Sequence, residues 1–451
     1  MGKLFGTDGV RGIANRELTP DLAFQIGQAG AYVLTKHAGD RKAKILVGKD
    51  TRISGDMLEA ALTAGICSVG GEVVSLGVLP TPAVAYLTRK YHADAGAVIS
   101  ASHNPMEYNG IKFFNQDGFK LNDDIELEIE DYIFNGNRGI HAAEGADLGV
   151  CSRAEQAGQD YCDFICSAVP LELKGLKIVI DCANGAASLV AKQALERLGG
   201  CVTVIHNRPN GLNINADCGS THMKSLCEKV KETGADVGFA FDGDADRCLA
   251  VDETGKVVNG DEMMMICAAF MKKQGSLKNN TLVTTVMSNL GLFIAAEKNQ
   301  IEVLKTKVGD RYVLEEMQAG GHCIGGEQSG HIIFLDYNST GDGLLSAVML
   351  LQVMLAEQKP LSQLAKIVHI LPQALCNARV KNEYKETFAK HPEIAAVIQT
   401  LEDKFAGEGR ILIRPSGTEP LVRVMIEGND IDEIKADAKM LADLIQSRFA
   451  E

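Results

Sequence analysis

This sequence has no Cys-x-x-Cys pair and no apolar run long enough to cross a membrane, and positive charge is in deficit. The 12 cysteines are scattered. The closest two, Cys162 and Cys166, have no histidine nearby, and Cys-x-x-Cys does not occur. Zinc is therefore not expected. Thiols among apolar neighbours, such as Cys67, Cys182, Cys267 and Cys323, read as reduced core residues of a cytosolic chain. The longest apolar run, near Met263 to Met271, is about half the ~18 residues that a membrane span needs. The opening Met-Gly-Lys-Leu-Phe-Gly has no apolar h-region, and Gly6 stands where myristoylation requires a hydroxyl, so the expected location is cytoplasmic. A formal net charge of −14 argues against a nucleic-acid-binding face. Any anion must be held by a local cluster.

What is present is a chain of 451 residues, 46% hydrophobic and 23% charged, a soluble globular composition long enough for three or four domains. A strand, polar turn, helix, Gly-Gly stop and second strand run from Lys44 to Leu76, and the same order returns from Lys177 to Ile205. It comes a third time between Leu282 and Thr306, without the Gly-Gly stop. A helix is expected over 20–37, another over Asp123 to Phe134, and a Gly-rich linker over 135–149. After Leu371 the order changes to strand, helix (about Glu383 to Phe405), two strands and a last helix from Asp430. The fold class is α/β, with three related modules followed by a small α+β domain. The expected limits are 1–150, 151–253, 254–368 and 369–451.

Residues 97–110, Ala-Val-Ile-Ser-Ala-Ser-His-Asn-Pro-Met-Glu-Tyr-Asn-Gly, present Ser102 at the end of an apolar strand, where open α/β sheets place their chemistry. Serine and asparagine before proline also read simply as turn and cap residues. Asp242-Gly-Asp-Ala-Asp-Arg follows the apolar run Val237 to Phe241, and Asp242, Asp244 and Asp246 can converge on one hard divalent cation. With Glu253 they match four EF-hand positions, but Arg247 stands where that loop needs glycine, and the flanks read as strands. A phosphatase with Asp242 as nucleophile and Asp244 as acid would leave Ser102 idle. Arg414-Pro-Ser-Gly-Thr-Glu-Pro, between two strands, offers Arg414, Ser416, Gly417 and Thr418 to a phosphate, with Arg423 as a support. A Pro/Gly turn beside a structural arginine is the plainer alternative. Gly325-Gly-Glu-Gln-Ser-Gly-His offers Glu327 and Ser329 to sugar hydroxyls and His331 to a proton. Lys305, Lys307 and Arg311, around Gly309 and Asp310, add positive charge in the same module, while Arg11 and Lys112 are candidate phosphate or proton-transfer groups.

With AVISASHNP, DGDADR, GEQSGH and RPSGTEPLVRVM in this order, the sequence resembles the α-D-phosphohexomutase superfamily from end to end. The forms FGTDGVRG, GEQSGH and SGTEP are similar to its bacterial amino-sugar branch. The resemblance implies four domains around a central cleft, the first three of one mixed α/β topology. It implies Ser102 as the phosphorylated serine, and one Mg²⁺ per subunit on Asp242, Asp244, Asp246 and a phosphoserine oxygen. It also implies substrate contacts from Lys307, Gly309, Asp310, Arg311, Glu327, Ser329, Arg414, Ser416, Gly417 and Thr418, with Arg11, Lys112 and His331 around the transferring phosphoryl. The implied reaction carries glucosamine 6-phosphate to glucosamine 1-phosphate through a hexosamine 1,6-bisphosphate, on the route to UDP-N-acetylglucosamine and the cell wall, and a hexose 1,6-bisphosphate would serve as activator. It leaves room for a homodimer. Glucose or mannose phosphates are the nearest alternative substrates, and a non-catalytic sugar-phosphate binder is the alternative of another class.

Overall fold

The computed structural model describes residues 4–6, 8–36, 41–385, 387–416 and 420–450. Gly417 and Thr418 lie outside the described residues, as do the last residue of the helix expected over 20–37 and Thr7 of the amino-terminal motif. The chain divides into two compact units, one of Met1–Met287 with Gln300–Ile367 and one of Ser288–Asn299 with Val368–Glu451.

The first unit is built on three sheets. The first contains β1 (Val10–Ile13), β2 (Lys44–Lys49), β3 (Glu72–Val78), β4 (Ala95–Ile99), β5 (Tyr108–Asn115) and β6 (Cys151–Arg153), in the spatial order β1-β5-β4-β2-β3-β6. Strand β2 is parallel to β3 and β4, whereas β5 is antiparallel to β4 and β1. All five residues of β4 are buried, as expected of a strand covered on both faces. The second sheet contains β7 (Lys177–Asp181), β8 (Cys201–Ile205), β9 (Val237–Phe241), β10 (Cys248–Asp252) and β11 (Val257–Val258), ordered β11-β10-β9-β7-β8. The third contains β12 (Thr281–Thr285), β13 (Glu302–Thr306), β14 (Ile324–Gly326) and β15 (Ile332–Phe334), ordered β13-β12-β14-β15. Each sheet mixes parallel with antiparallel pairs, as the mixed α/β reading requires.

Local chemistry explains the boundaries. The helix Pro20–Leu34 begins where Thr19 accepts the Leu22 N–H at 3.2 Å and Pro20 fixes the first turn. Asp123–Phe134 is helical as expected, capped by Asn122. The helix expected between the two strands of the Lys177 to Ile205 unit opens instead with a 3₁₀ turn, Ala186–Leu189, and becomes α-helical only at Ala191–Arg197. The Ala186 N–H is drawn to the Gly243 carbonyl at 2.8 Å, so the segment's entry is set by the Asp242 turn.

The second unit is a three-stranded antiparallel sheet of β16 (Gln373–Arg379), β17 (Arg410–Pro415) and β18 (Leu421–Glu427), ordered β16-β18-β17. The long helix expected from about Glu383 is only Pro392–Phe405, preceded by short 3₁₀ turns. Pro392 has no N–H to donate and holds His391 extended, so no helix can run through it. The helix Leu290–Lys298, read from sequence as part of the third module, is fastened to this sheet. The buried Glu427 carboxylate accepts from Leu290 N at 2.9 Å, Asn289 Nδ2 at 3.2 Å and Arg410 Nε at 2.6 Å.

Candidate active site

Strand register builds one side of the site. Arg11 on β1 lies opposite Gly110 on β5, and Lys112 on β5 lies opposite Val98 on β4, so both cations share one face beside the end of β4. Gly110 permits this: a Cβ there would sit 2.6 Å from the Ser100 carbonyl oxygen and 3.0 Å from Arg11 Cγ.

Ser102 follows β4 in the left-handed conformation, φ 51°, which costs a non-glycine residue on the order of 1 kcal/mol or more. Its surroundings hold it there. The Ser102 N–H donates to Ser100 Oγ at 2.9 Å, and Ser100 donates to Asp50 at 2.6 Å. The Ser102 carbonyl accepts from Arg52 Nη2 at 2.9 Å and Asn215 Nδ2 at 2.8 Å. Arg52 is itself fixed by Asp50 through a fully buried ion pair of 2.8 Å. Both donors also reach the Asn104 carbonyl, which completes the turn.

The opposite side is the turn between β9 and β10. These flanks are strands, so the EF-hand match is coincidental. Ser102 Oγ donates to Asp242 Oδ2 at 2.6 Å. Asp244 Oδ2 accepts from Thr81 Oγ1 at 2.6 Å and from Lys112 Nζ at 3.0 Å. One carboxylate oxygen of each aspartate lies within 4.8 Å of the others, and all three side chains are buried. Asp244 Oδ1 and Asp246 Oδ1 have no hydrogen-bond partner among the described residues. Two orphaned buried anionic oxygens in a converging all-oxygen set fit a hard divalent cation. Burial, with Asp246 and Asp244 beside it, pushes the Asp242 carboxyl well above the ordinary range, which a cation would reverse.

Cations surround these acids. Burial alone would raise Asp246, but His331, Lys112 and Arg247 hold it far below the ordinary range. His331 Nδ1 is 3.6 Å from Asp246 and Nε2 is 3.4 Å from Asp310. The Gly341 N–H donates to Nε2 at 3.1 Å, which leaves the proton of a neutral ring on Nδ1, facing Asp246. Asp8 pairs with Arg11 and with Lys120, whose ammonium also reaches Asp310. The Nε atoms of Arg11 and Arg247 are buried without a partner among the described residues, leaving two guanidinium donors for an anionic group. Burial and the nearby Arg247 and Arg11 lower the His103 imidazole to about 4, so it is neutral at physiological pH.

Other expected residues lie farther along the first unit. Glu327 is half-buried, accepting the Gly309 N–H at 3.2 Å, and Ser329 is exposed on the same turn. Lys307 is exposed, with Nζ 5.9 Å from the Tyr312 ring centre. Arg311 is engaged by Asp123, Glu126 and Glu315. In the second unit, Arg414 lies directly opposite Arg423, and the buried Ser416 offers its carbonyl to Lys385 Nζ at 2.9 Å. Like charges opposed across a ladder are unfavourable alone, which suits an anion-binding turn. Sequence reasoning did not single out Asp8, Asp50, Arg52, His103, Lys120, Asn215 or Arg247. Asp8, His103 and Arg247 stand inside quoted motifs, whereas Arg52 and Asn215 carry no local signal at all.

Profiles of the phosphoglucomutase/phosphomannomutase family match in four consecutive parts: alpha/beta/alpha domain I over residues 2–139, domain II over 159–255, domain III over 259–370 and the C-terminal domain over 375–444. The phosphoglucosamine mutase of Alkaliphilus oremlandii is 58% identical over 449 residues, covering 100% of both chains. That of Ruminiclostridium cellulolyticum is 59% identical, again over 100% of both. A Burkholderia thailandensis phosphoglucomutase/phosphomannomutase family protein has the same fold, with a TM-score of 0.80 at 22% identity, covering 100% of this chain and 99% of the other. Aspergillus fumigatus N-acetylphosphoglucosamine mutase, solved in complex with GlcNAc-6P and magnesium, aligns with a TM-score of 0.71 at 16% identity, over 99% and 96% of the two chains.

Proposed function

Because this chain belongs to the phosphoglucosamine mutases, within the phosphoglucomutase/phosphomannomutase family, we propose that it works through Ser102, phosphorylated on Oγ, as the phosphoryl donor to glucosamine 6-phosphate. It is an isomerase that interconverts glucosamine 6-phosphate and glucosamine 1-phosphate.

The observation that carries the reading is the 2.6 Å bond from the Ser102 hydroxyl to Asp242, beside the two unpartnered oxygens of Asp244 and Asp246. Asp242, Asp244 and Asp246 would hold Mg²⁺, the metal present in the Aspergillus relative, together with an oxygen of phospho-Ser102. When bound, it would neutralise negative charge developing on the transferred group.

The chain's own groups supply the rest. Arg11 and Lys112 face the phosphoryl from β1 and β5, and Arg247 reinforces them from the Asp242 turn. The donor Oγ–P bond breaks as the substrate's free hydroxyl at C1 attacks phosphorus; that hydroxyl loses its proton as the departing Ser102 Oγ gains one, with Lys112 and His331 as the proton-transfer groups. The product is the 1,6-bisphosphate. Turned end for end, it returns the 6-phosphoryl to Ser102 and leaves glucosamine 1-phosphate. Glu327 and Ser329 hold sugar hydroxyls, with Lys307, Gly309, Asp310 and Arg311 as the neighbouring substrate segment. The turn of Arg414, Ser416, Gly417 and Thr418 takes the phosphate that is not being transferred. A hexose 1,6-bisphosphate would reload Ser102 after accidental hydrolysis.

The proposed domain limits are 1–150, 151–253, 254–368 and 369–451, and the proposed location is cytoplasmic. Among the described residues no single helix is long and apolar enough to cross a membrane.

Mass spectrometry of the Ser102 peptide, before and after incubation with a hexose 1,6-bisphosphate, tests the donor role. Phosphate is expected on Ser102, and S102A is expected to lose isomerisation; retained activity in that variant would defeat the reading. Coupled assays on glucosamine, glucose and mannose 6-phosphates test the substrate, with the amino sugar turned over fastest.

A further inference from the structure

A second cluster of ligand-type side chains stands at the same edge of the second sheet and has no part in the phosphoryl-transfer site. Asp181 ends β7, His206 follows β8, and Cys218 lies in the loop before the 3₁₀ turn Gly219–Thr221. In the parallel β7–β8 pair Asp181 stands opposite Ile205, so the imidazole comes directly beside the carboxylate. One ligand atom from each of the three residues lies within 4.8 Å of the others. We propose that Asp181, His206 and Cys218 form a second metal site, taking a single zinc-class ion.

The donor chemistry selects the ion. Thiolate, imidazole and carboxylate together suit Zn²⁺ or Co²⁺ and are foreign to Mg²⁺, which takes oxygen. Around tetrahedral zinc, with bonds of about 2.0–2.3 Å, adjacent ligand atoms stand about 3.5 Å apart, so Asp181 Oδ2 and His206 Nδ1, 2.9 Å apart, would part slightly, while Cys218, within 4.8 Å of both residues' ligand atoms, would be drawn in. The fourth position would go to water, and the His206 side chain, 31% exposed, leaves a way in.

Orientation is already set. Asp181 Oδ2 is 2.9 Å from His206 Nδ1 and accepts the Gly219 N–H at 3.0 Å, while Oδ1 accepts the Ala183 N–H at 2.9 Å. Ala183 and His206 both hold positive φ, 52° and 46°, so the backbone is constrained around the cluster. The fully buried Cys218 thiol takes one weak amide contact, from Asn184 at 3.8 Å. Burial beside Asp181 raises that thiol to about 12, which argues against a free nucleophile; an ion would displace its proton to solvent. Zinc was not expected from sequence because spacing along the chain showed no ligand set. Folding assembles one from three separated segments.

The test uses full-length protein stripped by a chelator and returned to excess Mg²⁺, with Co²⁺ as the probe. One equivalent is expected to bind with a thiolate-to-cobalt charge-transfer band that Zn²⁺ abolishes. C218A and H206A should lose the band while keeping mutase turnover, and D242N should keep it. Absence of the band in the wild-type chain, or its survival in C218A, would overturn the proposal. Should either variant fail to fold, crystals of the wild-type chain grown with Zn²⁺ decide. An anomalous peak bonded to Cys218 Sγ supports the site, and peaks only elsewhere, or none, overturn it.

Discussion

Gly243 shows how little tolerance the site has at the level of single atoms. A Cβ there would lie 2.5 Å from the Ser102 carbonyl oxygen and 2.9 Å from Asn215 Nδ2, the two partners that fix the serine turn. G243A should therefore displace the Ser102 hydroxyl and reduce kcat on the order of 100-fold with the fold intact, measured by steady-state assay beside circular dichroism. Asp242 makes the complementary case. Its raised carboxyl shows that burial and two neighbouring carboxylates disfavour the ionised form. D242N should be inactive yet, in EDTA, more stable than the wild-type chain by about 1 kcal/mol, read from urea midpoints. At this scale the sequence was most legible where chemistry clusters locally. The three aspartates announce themselves by alternation, whereas Arg52 and Asn215 act through backbone carbonyls on distant loops and leave no pattern to read.

Between elements, the tie of helix Asp123–Phe134 to helix Asp310–Gly320 is an acid–base contact with a defined pH signature. Burial raises Glu126 to about 7, against an ordinary value of 4.5, although Arg311 stands 3.3 Å away. Because the folded pKa lies above the unfolded one, the folded state holds this proton more tightly. The stability it contributes is complete below about 4.5 and is lost as pH rises to about 7. E126Q should remove that component of the slope, amounting to on the order of 1–3 kcal/mol, in chemical denaturation measured at several pH values. Secondary structure was read well where periodicity and caps agree, as at Pro20, Asn122 and Asp430. It was misread where tertiary demands intervene. The 3₁₀ turn at Ala186 answers to Gly243, a partner not close in sequence.

For the molecule as a whole, Mg²⁺ should act as a ligand of the native state alone. At free metal 100-fold above its dissociation constant it should stabilise the first unit by about 2.7 kcal/mol. EDTA should both abolish turnover and lower the first thermal transition, and S102A, lacking the serine hydroxyl, should show a smaller metal-dependent shift in calorimetry. The number of modules and the order of their motifs were legible because each carries its own loop. That Ser102 and Asp242 meet was implied by the family resemblance alone, since nothing local in either segment says so.

That meeting has a timetable. The serine and its aspartate are 140 positions apart, and Asn215 is 113 beyond the serine. At ~5–20 residues per second, a ribosome needs roughly 7–28 s to reach Asp242 after Ser102 has been made. During that interval the nascent first sheet can form, but its serine turn lacks two of the groups that pin it. The reactive centre is thus completed only once the second sheet has been made, and a chain stalled before β9 would carry a serine turn held by Arg52 and Asn215 but without the aspartate that accepts its hydroxyl.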